Sequence, residues 1–334
     1  MMKERISFFA ASIVGAGLLA VSTAGQATAD SFPSKPIHYV LHAGAGGATD
    51  TMARIIAPEV EKAIGQKVVV ENRKGAGGAV QMTYLTKTAK PDGYVVGSTT
   101  GSLIGRMNTV LKDRFKLDDF DWTSGLLTDA FVFGVPASSK AKTLKDMVAT
   151  IKSKPGTVKI AGFAVGGAQW VGWNIFAEGA GIKATDAIWI PYDNMGEAAT
   201  ATVGKHAELT VNFAGTTLDH VRAKNMRILA VMSENRADPL PDVPTVAEAG
   251  FPKVDTGYVQ FRGIVMPKGT PAAIQNKIND AFQTALKSKS VVKWMKNSSL
   301  SPMGYGPERF LKFAKNYDKS TAKWVSGLQS KKKK

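Results

Sequence analysis

His42-Ala43-Gly44-Ala45-Gly46-Gly47-Ala48-Thr49-Asp50 decides how this chain of 334 residues is read. It stands between an apolar run at 37–41, composed like a buried strand, and a segment in which Met52, Ile55, Ile56, Val60 and Ile64 recur at helical spacing. A glycine-rich turn from strand into helix lets backbone approach a bound group closely, and the first N–H groups of the helix carry partial positive charge. Together these make an anion site that needs no basic side chain. Two other readings stay open at this point. One is the dinucleotide fingerprint G-x-G-x-x-G, which fails at Thr49, where its third glycine belongs, although Glu71 after the next strand mimics a ribose-binding acid. The other is a glycine turn that holds nothing. Thr49 or Asp50 is expected to cap the helix and Gly65 to end it, with a kink at Pro58.

Outward from this stretch the pattern repeats. Residues 68–70 and 94–97 read as strands, the second entered through Pro91-Asp92-Gly93, and Gly75-Ala76-Gly77-Gly78 opens a helix between them. A strand at 131–135 leaves this group. The alternation then restarts, with strands at 158–161, 187–190, 209–212 and 227–232 and helices at 144–151, 168–176 and 196–203. Residues 257–266 read as a strand returning to the first group, followed by long helices at 271–286 and 307–328. Such alternation predicts an α/β protein whose sheets are mainly parallel and flanked by helices. Two crossings predict two lobes, 30–132 with 258–334 and 133–257, on a hinge of paired segments that permits clamshell closure.

The first thirty residues predict the compartment. Lys3 and Arg5 precede an apolar run at 6–21, and Ala27-Thr28-Ala29 completes the three-part pattern of an export signal, 1–29. The chain has no cysteine, which excludes thiolate catalysis and Cys-ligated metals. Its four histidines, His38, His42, His206 and His220, have no metal-ligand spacing, so neither metal nor cofactor is expected. The formal charge of +16 would suggest nucleic acid in a cytoplasmic protein; outside the cytoplasm no nucleic acid is expected, and anionic solutes are the natural partners. The Lys331–Lys334 tail reads as a solvated end. Neither G-x-S-x-G nor G-x-x-x-x-G-K-S/T occurs, no histidine lies where it would activate a serine, and no catalytic residue is assigned.

Taken in order, Ser31-Phe-Pro-Ser-Lys-Pro-Ile37, Gly46-Gly-Ala-Thr-Asp50, Val69-Val-Glu-Asn-Arg73, Gly75-Ala-Gly-Gly78, Pro91-Asp-Gly-Tyr94, Ile190-Pro-Tyr192, Arg227-Ile-Leu-Ala-Val231, the run from Leu240 to Gly250 and Pro267-Lys-Gly-Thr-Pro271 resemble the Bug family, the TctC-like extracytoplasmic receptors of tripartite tricarboxylate transporters. The resemblance spans nearly all of the chain after the export signal. It implies the two-lobe fold of periplasmic binding proteins, a monomer that binds a small carboxylate in the cleft and delivers it to membrane transporter subunits. The alternative partner is a membrane sensor kinase that reads the closed form. The resemblance places ligand contacts at Gly44, Ala45, Gly46, Gly47, Ala48, Thr49 and Asp50, and in a second loop at Thr99, Thr100 and Gly101. From the other lobe it adds Gly166, Gly167, Ala168, Gln169 and Trp170, with Tyr192, Phe213 and Ala214. Asp50 is left to meet a polar or cationic ligand group or to cap its helix, and Glu71-Asn72-Arg73 to brace the glycine loop. The family pattern has hydroxyl, imidazole and lysine groups where this chain has Ala168, Trp170, Trp189 and Asp193. That departure predicts a monocarboxylate with an apolar or aromatic body.

Overall fold

β1 (Ile37–Leu41) is buried at every position but His38, so it lies inside a sheet rather than at an edge. The structure, a computed structural model, describes residues 32–192 and 195–330, with side chains through Ser326. The expected export signal, Asp193, and the Lys331–Lys334 tail lie outside the described residues.

From β1 the chain runs through α1 (Ala48–Ile64) to β2 (Val68–Asn72), then through α2 (Ala79–Lys87) to β3 (Val95–Thr100) on the other side of β1; both pairings are parallel. α3 (Gly101–Met107) leads to β4 (Phe120–Asp129). A single residue, Ala130, separates β4 from β5 (Phe131–Pro136), which belongs to a second sheet. There α4 (Leu144–Ser153), β6 (Lys159–Phe163), α5 (Ala168–Gly179), β7 (Ile188–Tyr192), α6 (Met195–Val203), β8 (Leu209–Phe213), α7 (Ala214–Arg222) and β9 (Met226–Met232) follow. β10 (Gln260–Pro267) returns to the first sheet, and α8 (Ala272–Leu286), α9 (Lys289–Asn297), β11 (Leu300–Tyr305) and α10 (Pro307–Ser330) complete the chain. The strand orders are β11-β4-β10-β3-β1-β2 and β7-β6-β8-β5-β9.

Each sheet is mixed rather than mainly parallel. The βαβ units keep β1, β2 and β3 parallel, and likewise β6, β7 and β8. A strand that arrives from the other sheet is free of that constraint: β10 inserts antiparallel between β3 and β4, and β5 antiparallel between β8 and β9. β4 is buried along nearly its whole length and shows no alternation, and β11 carries Pro302 and Gly304, tolerated because it forms the sheet edge.

α1 begins at Ala48 with Gly47 as its N-cap, so Thr49 and Asp50 stand in its first turn and neither caps it. It runs through Pro58 as one helix and ends on Gly65 in the left-handed conformation. In the first lobe Tyr39 of β1 meets Phe282 of α8 edge to face, with ring centroids 5.5 Å apart. In the second, the fully buried Phe133 of β5 lies against Phe176 of α5 at 4.4 Å. Phe133→Ala should therefore leave a cavity that helix and sheet cannot close. We expect a loss of about 3–5 kcal/mol, read as a lower urea midpoint with an unchanged denaturant slope.

Candidate functional site

Asp50 organises the glycine-rich turn. Its Oδ2 accepts the Gly46 N–H at 2.9 Å, both of its oxygens accept Arg54 Nε–H, and Oδ1 accepts Asn72 Nδ2–H at 2.9 Å. Asn72 also donates to the Ala43 carbonyl, tying β2 to the loop, and Arg73 lies over the Tyr84 ring. The Arg54 side chain, then the Gly46 N–H, pull the Asp50 carboxyl down to about 2. Its oxygens are thus occupied inside the protein. With the loop braced, Gly46 takes a φ of +77° and Gly47 turns the chain into α1, leaving the first N–H groups of the helix without helical acceptors.

These groups open on a cavity of about 770 Å³ lined by both lobes. Of the residues expected from sequence, Gly44, Gly46, Gly47, Ala48, Thr49, Thr100, Gln169 and Phe213 line it. The others lie outside its lining. Ala45 is exposed, while Asp50, Thr99, Gly101, Gly166, Ala168 and Ala214 are buried in loop, sheet or helix packing. Gly101 is pressed beneath the Tyr317 hydroxyl and the Gln260 amide. Gly167 caps α5, and Tyr192 packs beside Ala161, Ala198 and Ala207. Trp170 is half-buried against the core. Trp189 donates Nε1–H to the Phe163 carbonyl at 2.9 Å, and its ring covers Gly162. Neither indole faces the cavity; the tryptophan that does is Trp294 of α9.

Sequence reasoning missed several lining groups. Arg106 is one. Its guanidinium lies against Gly77, where an added Cβ would stand 2.8 Å from Nη1, and it has no hydrogen-bond or ion-pair partner among the described residues. Burial lowers its pKa, yet a guanidinium remains charged. His42, beside it in the lining, joins Nδ1 to Ser98 Oγ at 2.8 Å. Burial first, then the Arg106 charge, push its imidazole down to about 4, so it is neutral at pH 7. Asp129 and Arg262 form an ion pair at 3.2 Å, with side chains only 6% and 7% exposed. Burial outweighs the arginine and raises the Asp129 carboxyl to about 6. Leu103, Phe163, Met195 and Leu300 supply apolar wall. The Gly75–Gly78 turn was visible in sequence as a glycine run; the isolated Arg106, Asp129, Arg262 and Trp294 had no motif to mark them.

The lobes approach through glycines. An added Cβ at Gly105 would stand 3.0 Å from the Gly166 carbonyl oxygen, and one at Gly215 would stand 2.5 Å from that of Ser298. Lys323 of α10 reaches Glu178 of α5 at 2.9 Å, though both are exposed and the pair adds little.

Residues 52–327 match the family model described as the tripartite tricarboxylate transporter family receptor. The UPF0065 protein of the TAR-I ttuE-ttuC' intergenic region in Agrobacterium vitis is 33% identical over 270 residues, 79% of this chain and 75% of the relative. A solved structure described as a periplasmic transporter superposes with a TM-score of 0.74 at 30% identity, covering 89% of this chain and 98% of that one. A second, from R. palustris with adipate, has a TM-score of 0.70 at 24% identity over 88% and 96% of the two chains, a likeness of fold.

Two outcomes follow from this geometry. The folded His42 value of about 4 lies below the ordinary 6.5, so between those pH values the unfolded chain binds a proton that the folded one refuses. The stability this contributes is complete above pH 6.5 and is lost as pH falls towards 4, by on the order of 3 kcal/mol. His42→Gln should remove that loss, so that the stability difference from wild type changes across this window; a constant difference would refute it. Gly215→Val should force α7 from Ser298 and widen the cleft, giving a larger radius of gyration by small-angle scattering with unchanged circular dichroism.

Proposed function

The chain belongs to the tripartite tricarboxylate transporter receptor family, and from that membership we propose that it captures a small carboxylate between its lobes in the periplasm and delivers it to membrane transporter subunits. One observation carries this reading. The N-terminus of α1 and an Arg106 without an anionic partner among the described residues converge on one cavity lined from both lobes. Helix N–H groups and a guanidinium together favour a carboxylate over a neutral or cationic head. His42, neutral at pH 7, adds no charge of its own. Gly44, Gly46, Gly47, Ala48 and Thr49 hold the carboxylate through backbone, while Leu103, Phe163, Met195, Phe213, Trp294 and Leu300 receive an apolar body. The R. palustris neighbour contains adipate, also a carboxylate.

In this reading residues 1–29 direct export and the protein works as a monomer by binding alone, with no catalytic step. The two lobes, drawn from sequence as 30–132 with 258–334 and 133–257 but parting at Ala130, since β5 starts at Phe131 in the second sheet, close on the ligand. A ligand touched by both lobes stabilises the closed state by its difference in affinity for the two states, and the membrane partner reads that state. Among the described residues no helix is long and apolar enough to cross a membrane.

A thermal-shift screen of mono-, di- and tricarboxylates, aromatic acids included, tests the proposal. A true ligand at a hundred times its Kd adds about 2.7 kcal/mol, a rise of several degrees in melting temperature. Arg106→Gln removes a charged hydrogen bond of about 1.5–3 kcal/mol, so its Kd for the same ligand should rise more than tenfold. Melting points raised by sugars or cations and by no carboxylate would overturn the reading.

A further inference from the structure

The two passages of chain between the sheets meet at one point. Asp129 is the last residue of β4, Gln260 the first of β10, and the two stand opposite each other in the ladder. Arg262, two residues along β10, shares their face and reaches diagonally to Asp129. All three line the cavity, joined by Gln169 from the other lobe, and all four residues are more than nine-tenths buried.

The polar atoms of this group are only half used. Arg262 Nη2–H donates to Asp129 Oδ2, and Gln260 Nε2–H donates to Ser102 Oγ at 3.0 Å. Asp129 Oδ1, Arg262 Nη1 and the amide oxygens of Gln260 and Gln169 are buried without a protein partner. Either glutamine amide can turn to present donor or acceptor. The charged pair cannot: with Asp129 ionised, as at pH 7.5, it offers one anionic acceptor and one cationic donor.

We propose that Asp129 and Arg262 determine the specificity of this cavity, receiving at the far end of the ligand a neutral group that both donates and accepts hydrogen bonds, a hydroxyl or a carboxamide, and rejecting a second carboxylate. The inference rests on the carboxylate-capture reading, which places the first carboxylate at α1 and Arg106. A hydroxyl or carboxamide accepts from Nη1 and donates to Oδ1, satisfying both. A second carboxylate only accepts: it satisfies Nη1 but sets its charge against the Asp129 carboxylate in a site of low dielectric, where the repulsion is strong. An ammonium makes the converse error against Arg262. A methyl end leaves both atoms unsatisfied.

The test is calorimetry at pH 7.5 with matched ligands of four to six carbons: the dicarboxylate, its monoamide, the ω-hydroxy acid and the plain monocarboxylate. At the chain length that binds best, the monoamide or hydroxy acid should bind at least tenfold tighter than both the dicarboxylate and the plain acid. Asp129→Asn keeps the shape, supplies a donor and leaves Arg262 to take an anion, so it should invert the order in favour of the dicarboxylate by at least tenfold. Removing one partner of a buried pair is destabilising, so the neutral double variant Asp129→Asn with Arg262→Gln is measured beside it and should lose discrimination against the dicarboxylate. A wild type that prefers the dicarboxylate or the plain acid overturns the proposal, as does unchanged discrimination in a folded variant; the pair then only braces the strands. Failure of every carboxylate to bind wild type would instead sink carboxylate capture itself.

Discussion

The antiparallel pairing of β4 with β10 is the contact on which the rest of the molecule depends. Ala130 alone lies between β4 and the first strand of the second sheet, and β10 is the strand that brings the chain back. Both passages of the chain between the lobes therefore leave from neighbouring strands. A ladder of this kind resists sliding because slipping by one residue would turn every side chain to the wrong face. It tolerates bending, and its two register shifts, at Arg262/Gly263 and Ile264/Val265, mark where it departs from regular geometry. The cavity sits at the end of this ladder, so residues at the crossing are at once part of the connection and part of the lining.

Charge is distributed across that cavity with economy. A chain of formal charge +16 has many cations, yet few face the site. Asp50, the acid nearest the α1 N-terminus, is occupied by Arg54, Asn72 and the Gly46 N–H, so its charge shapes the loop. His42 is held neutral beside Arg106, which avoids placing two cations side by side in the cavity wall. Arg262 is balanced by Asp129, while Arg106 is left without an anionic partner among the described residues. The asymmetry between these two arginines gives the cavity two chemically different ends.

Much of the architecture was legible in the sequence because its strands and helices announce themselves by period. The apolar runs at 37–41 and 131–135 and the helical spacing after Asp50 correspond to β1, β5 and α1. β4 was not legible: buried on both faces and carrying Asp121, Thr123, Ser124 and Gly125, it has neither alternation nor an apolar run. Its Ser124 is satisfied from afar, by Asn279 and Gln283 of α8, partners that no local pattern can supply. β11, with a proline and a glycine, reads as a loop and is a strand only because β4 offers it an edge. The mixed direction of the sheets was hidden for the same reason, since a strand arriving from another lobe carries no mark of which way it will run.

By itself the sequence determined the glycine-rich strand-to-helix turn, and with it a lining contributed by Gly44, Gly46, Gly47, Ala48 and Thr49. That was possible because glycine conformation and helix polarity are local properties. Only the tertiary structure decided which side chains would complete the cavity. Trp170 and Trp189, prominent in sequence, were turned to packing and to the Phe163 carbonyl, while Trp294, Arg106, Asp129 and Arg262 were brought to the wall. The physical reason is separation along the chain. Asp129 and Arg262 are 133 residues apart, and they meet only because two strands pair at the point where the chain crosses between its lobes.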